Sequence, residues 1–198
     1  MKVLYNGVPV PEWLHHLRVG LFQDVTMDKS EVWDREFVNA VKRCVSLEDV
    51  KANFLIVILQ ECVQNFDHVA FPESIKCLQE AIALWGRKDI MSVDWIKRAK
   101  IISQLAGDAC VYADSKIKDL GMLASCASNA ARAARFAAGA TEEENEFVVF
   151  AAEESLSLST MKSLGVIGRD ASAEEWSREQ SIHIDYFADQ ILRLLRNC

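Results

Sequence analysis

Glu179 and His183 stand four residues apart, the spacing that puts two ligands on one face of a helix and lets both reach one metal ion. A carboxylate-bridged di-metal bundle needs matching carboxylate and histidine motifs on separate helices. This chain carries one copy, although Asp108, Asp114, Glu153 and Glu154 could add carboxylates. No second histidine accompanies them, so no metal site is assigned. Cys62, His68 and Cys77 contain two zinc-binding residue types, but their spacing fits no zinc knuckle and a fourth ligand is missing. His15 and His16 are adjacent, and neighbouring residues on a helix point in different directions.

Nucleophilic chemistry is no better supported. Ser155, Ser157, Ser159 and Ser163 are plentiful, yet no GxSxG elbow is present and no histidine is close in sequence to act as base. GRDASAEE and AAGATEEE lack the GxxxxGK[ST] spacing that cradles phosphates. No cofactor and no catalytic residue are expected, and the chain reads as a non-enzyme.

The charge balance points the same way. Twenty-nine acidic residues against 22 basic ones give a net charge of -7, which disfavours direct nucleic-acid or anionic-membrane binding and leaves protein partners. The candidate partner-binding residues are the acidic cluster Glu142, Glu143, Glu144 and Glu146 together with Arg132 and Arg135. The glutamates also suit the positive end of a helix, and the arginines also suit a solvated helix face. The six cysteines, Cys44, Cys62, Cys77, Cys110, Cys126 and Cys198, form no CxxC pair and read as small buried hydrophobes in a reducing setting. The amino terminus has no basic region followed by an apolar core, and the longest bulky apolar run, Phe54 to Leu59, is too short to cross a bilayer. A cytoplasmic location without membrane association is expected.

The elements that must position these groups are helical. Residues 1–28 form a short lead-in, with Asn6-Gly7 as a hairpin-like turn and Pro11 opening a small helix, and residues 29–198 form the helical core of a single domain. Ser30 is placed to cap the next helix. Ser46 with Asp49 opens a run through FLIVIL that could also suit a strand, although its long Gly- and Pro-free context favours helix. Phe71-Pro72 starts a helix that Gly86 closes, and Ser92 caps a longer one with a seam from Trp95 to Leu120.

After Gly121, which either breaks or bends the helix, Leu123, Ala127, Ala130, Ala134 and Ala137 continue the stripe. Thr141 with Glu144 and Ser172 with Glu175 form capping-box patterns for the last two helices. The result is an all-α compact bundle of about seven or eight antiparallel helices, packed closely through small residues.

The layout from Trp33 to Leu195 resembles the alanine-rich helical immunity proteins of bacterial toxin systems and their bacteriophage relatives. IKCLQEAIALWG, ending in Trp85-Gly86, ASNAARAARFAAGA and REQSIHIDYFADQILRLL carry the likeness. It implies a binding antagonist, either an immunity protein against a toxin or a phage counter-defence inhibitor of a host defence component, working by occlusion of a partner's surface. Two other functions are consistent with the residues: a helical metal enzyme using Glu179 and His183, and a homodimeric structural module that self-associates through exposed tryptophans such as Trp13 or Trp176.

Overall fold

The computed structural model describes residues 2–22, 27–66, 69–141, 144–165 and 171–198. A two-stranded antiparallel hairpin opens it, β1 (Lys2–Tyr5) and β2 (Val8–Pro11), with Val3 opposite Val10. Asn6 and Gly7 both take positive φ at the turn, the conformation that tight hairpins require. Helix α1 (Glu12–His16) runs into a π-helical turn, Leu17–Leu21. Eight more helices follow among the described residues: α2 (Met27–Arg43), α3 (Leu47–Asn65), α4 (Pro72–Trp85), α5 (Val93–Ser115), α6 (Ile117–Leu120), α7 (Met122–Gly139), α8 (Phe147–Leu164) and α9 (Ala173–Asn197). The fold is an all-α bundle, and the FLIVIL run lies within α3 as a helix.

Local chemistry sets most boundaries. The Ser46 and Ser92 hydroxyls accept the Asp49 and Trp95 amides at the starts of α3 and α5, satisfying donors that have no partner inside the helix. Pro72 is the first residue of α4 and Gly86 closes it. Ser172 and Glu175 cap each other reciprocally at α9. Gly121, at φ +51, separates the one-turn α6 from α7, and α5 ends at Ser115 rather than running on to Leu120, which makes α6 a ninth helix beyond the expected seven or eight.

Three local expectations fail. Helix α2 begins at Met27, so Ser30 lies inside its first turn rather than at its cap. Helix α8 begins at Phe147 with Glu146 at the N-cap position; Thr141 instead turns back on Gly139, its amide donating to that carbonyl at 2.7 Å. Leu120 and Leu123 are exposed: the seam ends with α5 at Ser115, Leu120 belongs to the separate one-turn α6, and Leu123 lies in the first turn of α7.

Helix α7 is the hub and packs against α3, α4, α5 and α8. Ala124, Ala127, Ala130, Ala131, Ala133, Ala134, Ala137 and Ala138 are all completely buried. Bulk comes from the surrounding helices, notably Phe54, Trp85, Trp95 and Phe187. At the α7–α8 junction the approach is closest: a Cβ on Gly139 would lie 2.7 Å from the Phe147 ring. Two indoles reach across to carbonyls near helix ends, Trp85 Nε1 donating to Ala137 O and Trp95 Nε1 to Leu84 O, each at 2.9 Å.

The periphery is tied down separately. The Asp34 carboxylate of α2 accepts from Tyr5 Oη at 2.9 Å and from Arg18 Nε and Nη2 at 2.8 and 3.1 Å. The Arg18 guanidinium also lies 5.4 Å from the centre of the Trp33 ring. Trp13 is 1% exposed and belongs to the core, which removes it as a dimer-forming surface residue.

The cysteine reading holds for four of the six: Cys62, Cys77, Cys110 and Cys126 are free and buried. Cys44 and Cys198 are instead joined as a disulfide, with Cα atoms 4.8 Å apart across a sequence separation of 154. Helices α2 and α9 pack together and bring these two residues into contact, which no local spacing could reveal. Among the described residues no helix is long and apolar enough to cross a membrane.

Because the alanine hub has no room for bulk, Ala134→Leu is expected to destabilise the protein by about 1–3 kcal/mol through overpacking. Ala83→Leu, on the exposed side of α4, should stay within about 0.5 kcal/mol of the parent. Urea unfolding of the two variants measures both.

Candidate functional site

Helix α5 buries one side, Trp95, Ala99, Ile102, Ala106, Ala109 and Ala113, against the bundle. A second apolar stripe on the same helix faces outward. Ile101, Leu105 and Tyr112 are 58%, 51% and 56% exposed, and at 3.6 residues per turn they fall within about 40° of one another around the helix axis. From Ile101 to Tyr112 the stripe runs about 17 Å. Isolated exposed apolar residues are ordinary, whereas these three line up as one apolar row on the surface.

The stripe borders the groove between α4 and α5. Two cavities of about 360 and 230 Å³ lie along it and share Glu73 in their linings. Cys77 and Ile102 are the buried lining of the larger one, and Phe71 meets the Tyr112 ring edge-on at 6.2 Å in the smaller. The charged lip is internally paired: Arg98 Nη2 donates to Glu80 Oε2 at 2.6 Å, and Lys76 Nζ lies 3.7 Å from Glu73 Oε2. The groove therefore presents an apolar row between neutralised pairs. Its signal in the sequence was a set of large apolar residues on α5 lying outside the small-residue seam.

The described residues among those singled out for partner binding are placed as follows. Arg132 is engaged with α5: its Nη2 donates to Asp114 Oδ2 at 2.9 Å and its Nε to Cys110 Sγ at 3.3 Å, while Ser128 Oγ donates to Asp114 Oδ1 at 2.6 Å. Burial acts to raise the Asp114 pKa, but the hydrogen bonds from Ser128 and Arg132 and the guanidinium charge outweigh it and hold the carboxyl below its usual range. Arg135 and Glu144 line a separate groove of about 570 Å³ between α5 and the α7–α8 junction, with Lys100 and Asp108. Glu146 is exposed in front of α8. Glu142 and Glu143 lie outside the described residues.

The other chemical candidates are arranged as follows. His183 Nε2 is 3.2 Å from Ser163 Oγ and 3.8 Å from Glu179 Oε1. A hydrolytic relay needs the hydroxyl and the carboxylate on opposite ring nitrogens, and here both face the same one. Among the described residues no three His, Cys, Asp or Glu side chains gather as a metal-binding group. His68 lies outside the described residues, and burial pushes the Cys62 thiol up to about 12. The His15 and His16 rings are 6.0 Å apart and inclined at 64°.

Glu154 on α8 carries a measurable consequence. Burial pushes its carboxyl from 4.5 up to about 7, against the pull of Arg132, and the nearby carboxylates Glu153 and Asp114 add to the rise. The folded state thus holds its proton more tightly than the unfolded chain does, so stability should fall as pH rises from about 4.5 to about 7. Glu153 is raised by burial in the same direction. Thermal melts across this window should show the decline, and Glu154→Gln should flatten it.

No protein-family model, curated protein or solved structure matches the chain.

Proposed function

We propose that this chain is a non-enzymatic, cytoplasmic protein-binding antagonist that receives an amphipathic helix of its target on the α4–α5 face and so occludes the surface from which that helix projects. The observation that carries the reading is the exposed row of Ile101, Leu105 and Tyr112 beside the groove. Its length matches about three turns of a docked helix, and helix-in-groove recognition uses anchors at this kind of spacing. Asp94 is exposed on the same side of α5, and the chain as a whole carries a net charge of -7. Both favour a target helix with apolar anchors and basic flanks. The likeness to immunity-type and bacteriophage proteins supports a toxin or a host defence component as the target.

The preformed bundle suits this role because little ordering is needed on binding, which limits the entropic cost of association. A photo-crosslinker placed at Lys97, beside the stripe, should capture the target helix. Leu105→Glu should weaken the captured complex about 30-fold, the effect of losing a hot spot worth about 2 kcal/mol, with an unchanged melting temperature. Undiminished binding by that variant would overturn the assignment of this face. So would light scattering showing a dimer that Leu105→Glu converts to monomer, which would give the face to a second copy of the chain.

A further inference from the structure

A cleft of about 930 Å³ lies on a different face. It opens where the start of α3, the loop between α4 and α5 and the end of α9 converge, and its lining includes Ser46, Asn53, Trp85, Met91, Leu194 and Cys198. One wall is therefore built around the Cys44–Cys198 bond, with Val45 and Ser46 following one cysteine and Leu194 and Asn197 preceding the other. The opposite lip contains Met91 at φ +65, a left-handed conformation that a side chain with a γ carbon adopts only where its surroundings impose it. Asp89 ties the same loop together, accepting from Arg87 at 2.6 Å through two nitrogens and from Ser92 Oγ at 2.9 Å.

We propose that the Cys44–Cys198 pair is a reversible thiol-exchange site for a dithiol reductant, and that its cleavage releases the wall of this cleft. Four observations support it. Both sulfurs belong to half-buried residues, whereas the other four cysteines are buried, so exchange is confined to this pair. Burial also pushes the Cys77 thiol up to about 11, which suppresses its reactive thiolate. The site accommodates both redox states: the Ser46 amide donates to Cys198 Sγ at 3.1 Å, and the Ser46 carbonyl lies 3.3 Å from the same sulfur, placed to accept from a reduced thiol. Once the bond is cut, the final turn of α9 is held by buried Leu195 and by the exposed Arg196–Glu36 ion pair, a weaker restraint than a covalent one.

In the exchange, a thiolate of the reductant attacks Cys198 Sγ, the sulfur that lines the cleft. The S–S bond breaks and Cys44 leaves as a thiolate that takes up a proton. The reductant's second thiolate then attacks the mixed disulfide and expels the Cys198 thiolate, which is protonated in turn. The protein gains two electrons and two protons, and the dithiol leaves as its own disulfide.

The test uses the full chain purified without reductant. Native iodoacetamide labelling followed by peptide mapping should find Cys44 and Cys198 unlabelled. After native treatment with dithiothreitol these two cysteines alone should be labelled, and amide exchange over residues 44–46 and 194–198 should quicken roughly tenfold or more, with α7 unchanged. Cys44→Ser should show the fast exchange without reductant and no further response to it. Labelling of Cys44 and Cys198 even after treatment with an oxidised dithiol would show that the pair does not close. Unchanged exchange in the reduced parent protein would show that the bond does not restrain the wall. Either result overturns the proposal.

Discussion

Close approach of α7 to its neighbours is the constraint on which this molecule rests. Eight fully buried alanines leave the buried faces of the helix almost without protruding side chains, so the surrounding helices can pack against its backbone as well as against its methyl groups. An alanine core helix buries little area on its own account, and apolar burial is worth only about 25 cal/mol per Å². The large side chains of α3, α4, α5 and α8 supply the bulk instead, and α7 supplies the surface on which they meet. The indoles follow from the same geometry. Trp85 reaches Ala137 O near the end of α7, and Trp95 reaches Leu84 O near the end of α4, where helical carbonyls have no partner within their own helix.

Most element boundaries were legible because their chemistry is local. Ser46, Ser92, Ser172, Pro72 and Gly86 each act within a few residues of the helix end that they define. Thr141 misled because a capping pattern in sequence does not fix where the chain turns, and here the helix waits until Phe147. Trp13 misled because the depth of a short leading helix depends on what closes over it. The pairing of Cys44 with Cys198 depends on how α2 meets α9, information that is distributed over the whole chain.

The candidate site was less legible than the fold for a related reason. Periodicity identifies the face of α5 that is buried by the bundle, and it identifies the apolar residues left on the opposite side only after the first face is assigned. Ile101, Leu105 and Tyr112 emerge as a row once Trp95, Ile102 and Ala106 are known to point inward. Arg132 shows the converse. In sequence it is one charge on a helix; in the fold it bridges to Asp114 and Cys110 and stiffens the α5–α7 seam behind the exposed row.

The clamp at Asp34 gives the molecule an internal seam of cooperativity. One carboxylate gathers Tyr5 from the hairpin and Arg18 from the π-helical turn, while α2 itself packs mainly on α9 and β2. The hairpin, the first turns and α2 are thereby coupled to one another more directly than to the alanine hub. They form a mantle gathered around one carboxylate, while the helices that pack directly on α7 make up the centre of the molecule.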